Sequence, residues 1–294
     1  MRGLRSCLCV LLVAFNATAA LAKPPRPLLW KISDRDNAVY LLGSFHALKP
    51  EDYPLAPSVE AAFADAESVA FEISPEEMQS PELPKRLMAA AEQPAGHTLQ
   101  QSMSDANWQR LQQYAARRAM SLQHFQHLEP WFISMMISMR EMAQIGYDSR
   151  QGLDQYLIKR AAQAGKATLG LETADQQIAA LDSMTPAEQE QSLAESLAEA
   201  QEFKGKIDQL HELWRAGDEK GLDKLLGSEL RHDYAQLYQR INVARNQAWL
   251  PKIRRMLDGE NHRETLVVVG SLHLLGTDGL VSQLKSRGYR VERL

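Results

Sequence analysis

Two histidines in matched settings are the first residues of this chain that suggest chemistry. One ends Val39-Tyr40-Leu41-Leu42-Gly43-Ser44-Phe45-His46, and the other ends Val267-Val268-Val269-Gly270-Ser271-Leu272-His273. Each is a buried-strand pattern running into Gly-Ser-x-His. A glycine three residues before a histidine at a strand end lets the backbone turn sharply and leaves room for a ligand. A neutral imidazole there is a natural metal ligand or general base. A lone strand-end histidine is more simply a hydrogen-bonded, partly buried side chain. The matched pair favours one shared site.

Two acids stand at similar places. Glu72 sits in Ala70-Phe71-Glu72-Ile73, and Glu172 ends Leu169-Gly170-Leu171-Glu172. A carboxylate buried in such a run needs a metal, an arginine or a histidine beside it. The alternative for each is an edge-strand side chain facing water. Arg245-Asn246 lies in a helical stretch suited to a buried face. Arg245 could pair with a carboxylate or hold a substrate carboxylate or oxyanion, or it is a surface arginine.

The elements that must position these groups follow from the local pattern. Leu28 to Ser33 and Ala38 to Phe45 predict a hairpin around Asp34-Arg35-Asp36-Asn37. Val59 to Ala66 predicts a helix, and Ser68 to Ile73 a strand closed by Pro75. Helical periodicity then runs through Leu83 to Ala91, Trp108 to Ala115, Trp131 to Ile145 and Leu153 to Ala164. Ala167 to Leu171 predicts a strand delivering Glu172, and Thr185-Pro186-x-Glu188 predicts a helix start. Helices are expected to about Leu257, broken near Gly205, Gly217 and Gly227, with Gln189 to Glu202 a solvated face. Glu264 to Gly270 is a strand, Asp278 to Arg287 a helix, and Tyr289 to Arg293 the closing strand.

The expected fold class is therefore α/β (α+β). A small central mixed sheet is built from two strand–GxxH–helix–strand repeats, with a large helical insertion or cap. That insertion covers about residues 80–260, interrupted by a strand near 167–171. Residues 23–294 read as one domain. A repeat at opposite ends of the chain should bring His46 and His273 together.

Residues 1–22 read as a cleaved leader: a basic start, an apolar core from Cys7 to Phe15, then Ala20-Leu21-Ala22. Its removal leaves 31 basic residues against 37 acidic ones, a formal charge of −6. Both cysteines go with it, which excludes disulfides, thiolate ligands and a cysteine nucleophile. The acidic balance gives no reason to expect nucleic acid, and no later apolar run predicts membrane insertion. The expected compartment is the periplasm or the exterior.

Other signals carry less. His211-Glu212-Leu213-Trp214-Arg215 begins like a zincin helix but has Arg215 where the second histidine belongs. His124 and His127 lack a third ligand nearby. Met135, Met136, Met139 and Met142 read as core packing. Gly205-Lys206 lacks the rest of a phosphate loop, and no Gly-x-Ser-x-Gly elbow occurs.

These residues give the chain its resemblance to the TraB/PrgY/GumN family, related to the Tiki proteases. The matching features are Leu41-Leu42-Gly43-Ser44-Phe45-His46, Phe71-Glu72 and Gly152-Leu153-Asp154. Leu169-Gly170-Leu171-Glu172-Thr173 with Gln176 or Gln177, Arg245-Asn246 and Gly270-Ser271-Leu272-His273 complete them. The resemblance implies a fold shared with erythromycin-esterase-like and ChaN-like proteins, and a metal-dependent hydrolase. Tiki members cleave peptide bonds near a protein N-terminus with Mn²⁺ or Co²⁺, and TraB and PrgY members damp peptide pheromone signals.

On that basis His46 and His273 are expected as metal ligands, with Glu72 as third ligand or as the base. Glu172 is a second acid or supporting partner, Arg245 stabilises developing negative charge, and Asn246 helps to position it. The metal would be Mn, Co or Zn, and the substrate a peptide or small molecule. Two alternatives stay open: a ligand- or haem-binding protein without turnover, and metal-free hydrolysis by a His/Glu pair.

Overall fold

The computed structural model describes residues 23–200, 202–259 and 263–294. The expected leader lies outside the described residues. Six strands form one sheet: β1 (Leu29–Ser33), β2 (Ala38–Ser44), β3 (Ser68–Ile73), β4 (Ala167–Glu172), β5 (Thr265–Gly270) and β6 (Arg290–Arg293). Their order is β4-β3-β5-β2-β1-β6. Every residue of β2 and β5 is buried, as parallel strands covered on both faces require.

The hairpin β1–β2 forms as expected, its turn tied by the Asn37 N–H donating to Asp34 Oδ1 at 2.9 Å. Strand β1 is antiparallel to both β2 and β6, whereas β2, β5, β3 and β4 run parallel. The two copies of the motif interleave. β2 and β3 flank β5, so the two Gly-Ser-x-His strands lie side by side. Ser44 pairs with Gly270, which offsets the copies by one residue.

The helices up to β4 are α1 (Pro57–Asp65), α2 (Pro75–Met78), α3 (Leu83–Ala90), α4 (Asp105–Arg117), α5 (Pro130–Gln144) and α6 (Leu153–Gln163). Between β4 and β5 come α7 (Ala174–Asp182), α8 (Pro186–Glu199), α9 (Phe203–Ala216), α10 (Glu219–Leu222), α11 (Ser228–Asp233), α12 (Ala235–Tyr238) and α13 (Arg245–Leu257). Helix α14 (Leu280–Lys285) joins β5 to β6. Thr173 and Thr185 cap α7 and α8, each paired with a Gln or Glu three residues on.

Two apolar cores result. One surrounds the sheet and takes in Leu153 of α6, Trp214 of α9 and Trp249 of α13. The other lies among α4, α5 and α8, around Leu111, Trp131, Ile133 and Leu193.

Three local expectations need correction. The break expected near Gly205 falls just before it, between α8 and α9, and Gly205 itself sits inside α9; Gly227 lies in a π-helical stretch (Asp223–Gly227) that continues directly into α11. A helical glycine costs only about 1 kcal/mol relative to alanine, too little to end a helix by itself. Gly217 does end α9, because it takes the left-handed conformation at φ 64°. The Gln189 to Glu202 stretch is not simply a solvated face: Gln189, Leu193 and Leu197 of α8 are buried against the second core. The methionine stripe of α5 divides, with Met139 55% exposed and Met142 lining a cavity.

Candidate functional site

The parallel strands end on one side of the sheet, the usual place for a ligand cleft in such folds. His46 follows β2, Glu72 lies near the end of β3, Glu172 ends β4, Gly270 ends β5, and His273 follows it. His46, Glu72, Gly270 and His273 line a cavity of about 740 Å³ together with Arg245, and Glu172 stands behind Arg245. Its other walls are mainly apolar: Met78, Met142, Leu181, Leu210, Leu226 and Ile241.

Arg245, the first residue of α13, ties the acids together. Its Nη2 donates to Glu72 Oε2 and to Glu172 Oε1, each at 2.6 Å, and its Nε donates to Glu172 Oε1 at 3.0 Å. Its guanidinium packs over Trp249, 4.7 Å from Cζ to the ring centroid. The Trp249 indole N–H donates to Glu172 Oε2 at 3.1 Å. Glu72 and Glu172 are therefore neither of them water-facing, and Arg245 is not a surface residue. Gln177 of α7 donates to both carboxylates, at 3.1 and 3.3 Å.

Each histidine is held from behind. His46 Nδ1 lies 2.8 Å from Asp154 Oδ2, and His273 Nδ1 lies 2.8 Å from Asn246 Oδ1. Asp154 reaches His46 because Gly152 packs directly on the His46 carbonyl, where a Cβ would collide. The Leu153 N–H then donates to the Phe45 carbonyl at 3.1 Å. That contact gives Gly152-Leu153-Asp154 a physical reason. Asn246 is fully buried and also donates to the Asp278 carbonyl at 2.9 Å.

The two rings differ in charge. The Asp154 carboxylate raises His46 to about 9, against the opposing effect of its surroundings. Although protein walls the ring, 64% of its side-chain surface reaches solvent, so water screens the pair and the direction carries the argument. Burial pushes His273 down to about 3; the Glu72 charge opposes this, while Arg245 and His46 add to it. Burial alone would raise Glu72, yet surrounding cations and the Gly270 N–H, at 2.7 Å, hold it well below the usual carboxylate range. With His273 neutral at physiological pH, the cation in direct contact with Glu72 is Arg245, not the ring 3.9 Å away.

Two features fit a divalent cation. Fixing Nδ1 of each ring against an oxygen turns Nε2 toward the cavity, the arrangement common behind metal-bound histidines. Gly270 also leaves a space that a Cβ would fill, 3.2 Å from His46 Nε2 and 3.3 Å from Glu72 Oε1. Among the described residues, no three His, Asp or Glu side chains close into a metal cage. Arg245 lies against two of the three donors, with Nη1 3.2 Å from His273 Nε2.

All six candidates, His46, Glu72, Glu172, Arg245, Asn246 and His273, thus fall in or against one site. Asp154 and Gln177 are the additions. Both stood in the quoted motifs, but their partners were not evident from residues 108 and 105 positions away. His211 lies elsewhere, buried with Nε2 2.9 Å from Asp52, which Arg215 also pairs. It borders a separate cavity of about 710 Å³ with Lys23, Arg26 and Lys49. Among the described residues no helix is long and apolar enough to cross a membrane.

Residues 28–293 match the TraB/PrgY/gumN family. The uncharacterized protein YbaP of Escherichia coli (strain K12) is 25% identical over 246 residues, covering 84% of this chain and 87% of that protein. YbaP of Shigella flexneri matches to the same extent, 25% over 246 residues. No solved structure matches the chain.

Proposed function

The chain belongs to the TraB/PrgY/gumN family, and from that premise we propose an exported, metal-dependent hydrolase of peptide-like bonds. The observation that carries the reading is the pair of back-anchored histidines facing one cavity beside an Arg-bridged pair of carboxylates. His46, His273 and Glu72 would hold the cation, and their nitrogen and oxygen donors suit Mn, Co or Zn. Such an ion, when bound, supplies a water of lowered pKa and polarises the carbonyl under attack.

The chain's own residues do the rest. Asp154 and Asn246 fix the two rings so that neither has to reorient during reaction. Glu172 and Trp249 hold Arg245 at the cavity wall, where its guanidinium would stabilise negative charge developing on a substrate oxygen. Met78, Met142, Leu181, Leu210, Leu226 and Ile241 favour a substrate with apolar side chains beside the scissile bond and displace water from it. A leader over residues 1–22 would place the mature chain, from Lys23, outside the cytoplasm.

A second reading is favoured by the protonated state of His46 beside Asp154. In it no metal takes part and a His/Glu pair acts directly: His46 donates a proton to the leaving group, the Glu72 carboxylate accepts one from the attacking water, and Arg245 stabilises the oxyanion. The experiment is elemental analysis and peptide hydrolysis with the chain from Lys23, beside His46→Ala/His273→Ala, before and after loading with Mn²⁺, Co²⁺ or Zn²⁺. Near-stoichiometric metal in the wild type, none in the folded double variant, and cleavage lost on chelation support the first reading. Cleavage that survives exhaustive chelation selects the second. Ligand binding without cleavage by either form sinks both and leaves a carrier, for which haem absorbance is the next measurement.

A further inference from the structure

We propose that Arg245 competes with a divalent cation for Glu72 and His273, so that this arginine sets how tightly the site takes metal. The inference rests on the metal site proposed above and concerns its regulation. His273 Nδ1 is committed to Asn246 Oδ1, which leaves one lone pair, on Nε2. Arg245 Nη1 stands 3.2 Å from that atom. One lone pair cannot accept from an N–H and bind a cation at the same time. Glu72 is similarly engaged: Oε1 accepts from the Gly270 N–H, and Oε2 accepts from Arg245 and Gln177.

Charge opposes co-occupancy as well. A guanidinium is always protonated, so a second cation on the same carboxylate meets a repulsion that low dielectric strengthens. The arginine also has anchors apart from those two residues. Glu172 takes its Nε and Nη2, the Ile241 carbonyl takes Nη1 at 3.1 Å, and Trp249 stacks beneath it. Those contacts can hold the guanidinium after it turns away from His273 and Glu72. Ile241 and its neighbours form a π-helical stretch (Gln239–Ala244) directly before Arg245, a kind of irregularity that is frequent at functional sites.

The test measures Co²⁺ binding by calorimetry and by visible absorption on chelated wild type, Arg245→Met, Arg245→Lys and Lys252→Met at one pH. Lys252 donates to the Leu171 carbonyl, next to Glu172, and touches no proposed donor, so its variant reports the general field alone. Arg245→Met should bind Co²⁺ about tenfold to a hundredfold more tightly than wild type, the range expected from removing a charge-assisted contact. Lys252→Met should stay near the wild-type value. Arg245→Lys, which keeps a charge but loses the fork, should lie between and remains informative if the methionine variant fails to fold. Equal affinities for wild type and the Arg245 variants, with a Co²⁺ spectrum that His273→Ala abolishes, would overturn the competition and leave the metal site standing. Equal tightening in Lys252→Met would overturn it too, assigning the effect to long-range charge. No Co²⁺ bound by any folded variant would overturn both the competition and the metal reading.

Discussion

Asp154→Asn isolates what the carboxylate does to His46. The substitution keeps size and leaves an oxygen able to accept from Nδ1–H, but it removes the charge that lies 2.8 Å from the ring. In the wild type, Asp154 is the largest influence raising His46 from 6.5 to about 9. At pH 7.5 a group titrating at 9 is about 97% protonated, and one titrating at 6.5 about 9%. Without Asp154 the partial desolvation of the ring by the protein around it and the Arg245 charge act against protonation, and only Glu72 supports it. The variant should therefore titrate at or below the ordinary histidine value.

The assay is NMR titration of the His46 imidazole in chelated protein from pH 5 to 10, repeated at high salt. Because the ring opens to solvent, 1 M salt should lower the wild-type value and leave the variant nearly unchanged. Linkage gives a second readout. The folded value lies above the unfolded one, so the pair stabilises the protein fully below about pH 6.5 and loses that contribution as pH rises through about 9. Urea melts at pH 6 and pH 10 should show wild type and variant converging at the higher pH. A wild-type ring titrating near 6.5, or a variant ring still near 9, would refute the assignment of Asp154 as the controlling charge.

Asn246→Ala removes the acceptor behind His273 and leaves its buried Nδ1–H without a partner. Turnover or metal affinity should fall about tenfold to a hundredfold, and the shift of the His273 nitrogens in NMR should report the lost tautomer preference. Gly270→Ala places a Cβ 3.2 Å from His46 Nε2 and 3.3 Å from Glu72 Oε1. Activity should drop while the melting temperature stays near wild type; unchanged activity would mean that this space is not used. Arg118→Ala strips Glu141, 3% exposed, of contacts at 2.8 and 2.6 Å, leaving only Tyr114. Because Arg118 is partly open to water, the expected loss at pH 7 is about 1–3 kcal/mol by urea melts. Burial raises Glu141 but Arg118 and Tyr114 bring it below its ordinary value. The stabilisation is thus present above the ordinary carboxylate range and fades on acidification, so the two proteins should approach each other at low pH.

The legible part of the site came from repetition. Gly43-Ser44-x-His46 and Gly270-Ser271-x-His273 end strands that pair directly, with Ser271 Oγ donating to the Ser44 carbonyl at 3.0 Å. Glu72 and Glu172 were legible as acids inside apolar strands, since a charge there requires a partner. The partner's identity was not, because Arg245 reaches Glu72 across 173 positions of chain. Gln189 was misread for a related reason: its amide is buried by meeting Glu129 and Met184, which a helix pattern cannot disclose.

Local chemistry in the sequence determined the strands, most helix starts and the residue types that meet at the site, because turn preference and apolar period act over a few neighbours. Tertiary structure alone decided that β3 and β2 flank β5, that Asp154 charges one histidine, and that burial keeps the other neutral. It also decided that Arg245 lies on the atoms a metal would use. Charge state and competition depend on distances of a few ångströms between residues far apart in the chain, and only the folded packing sets those distances.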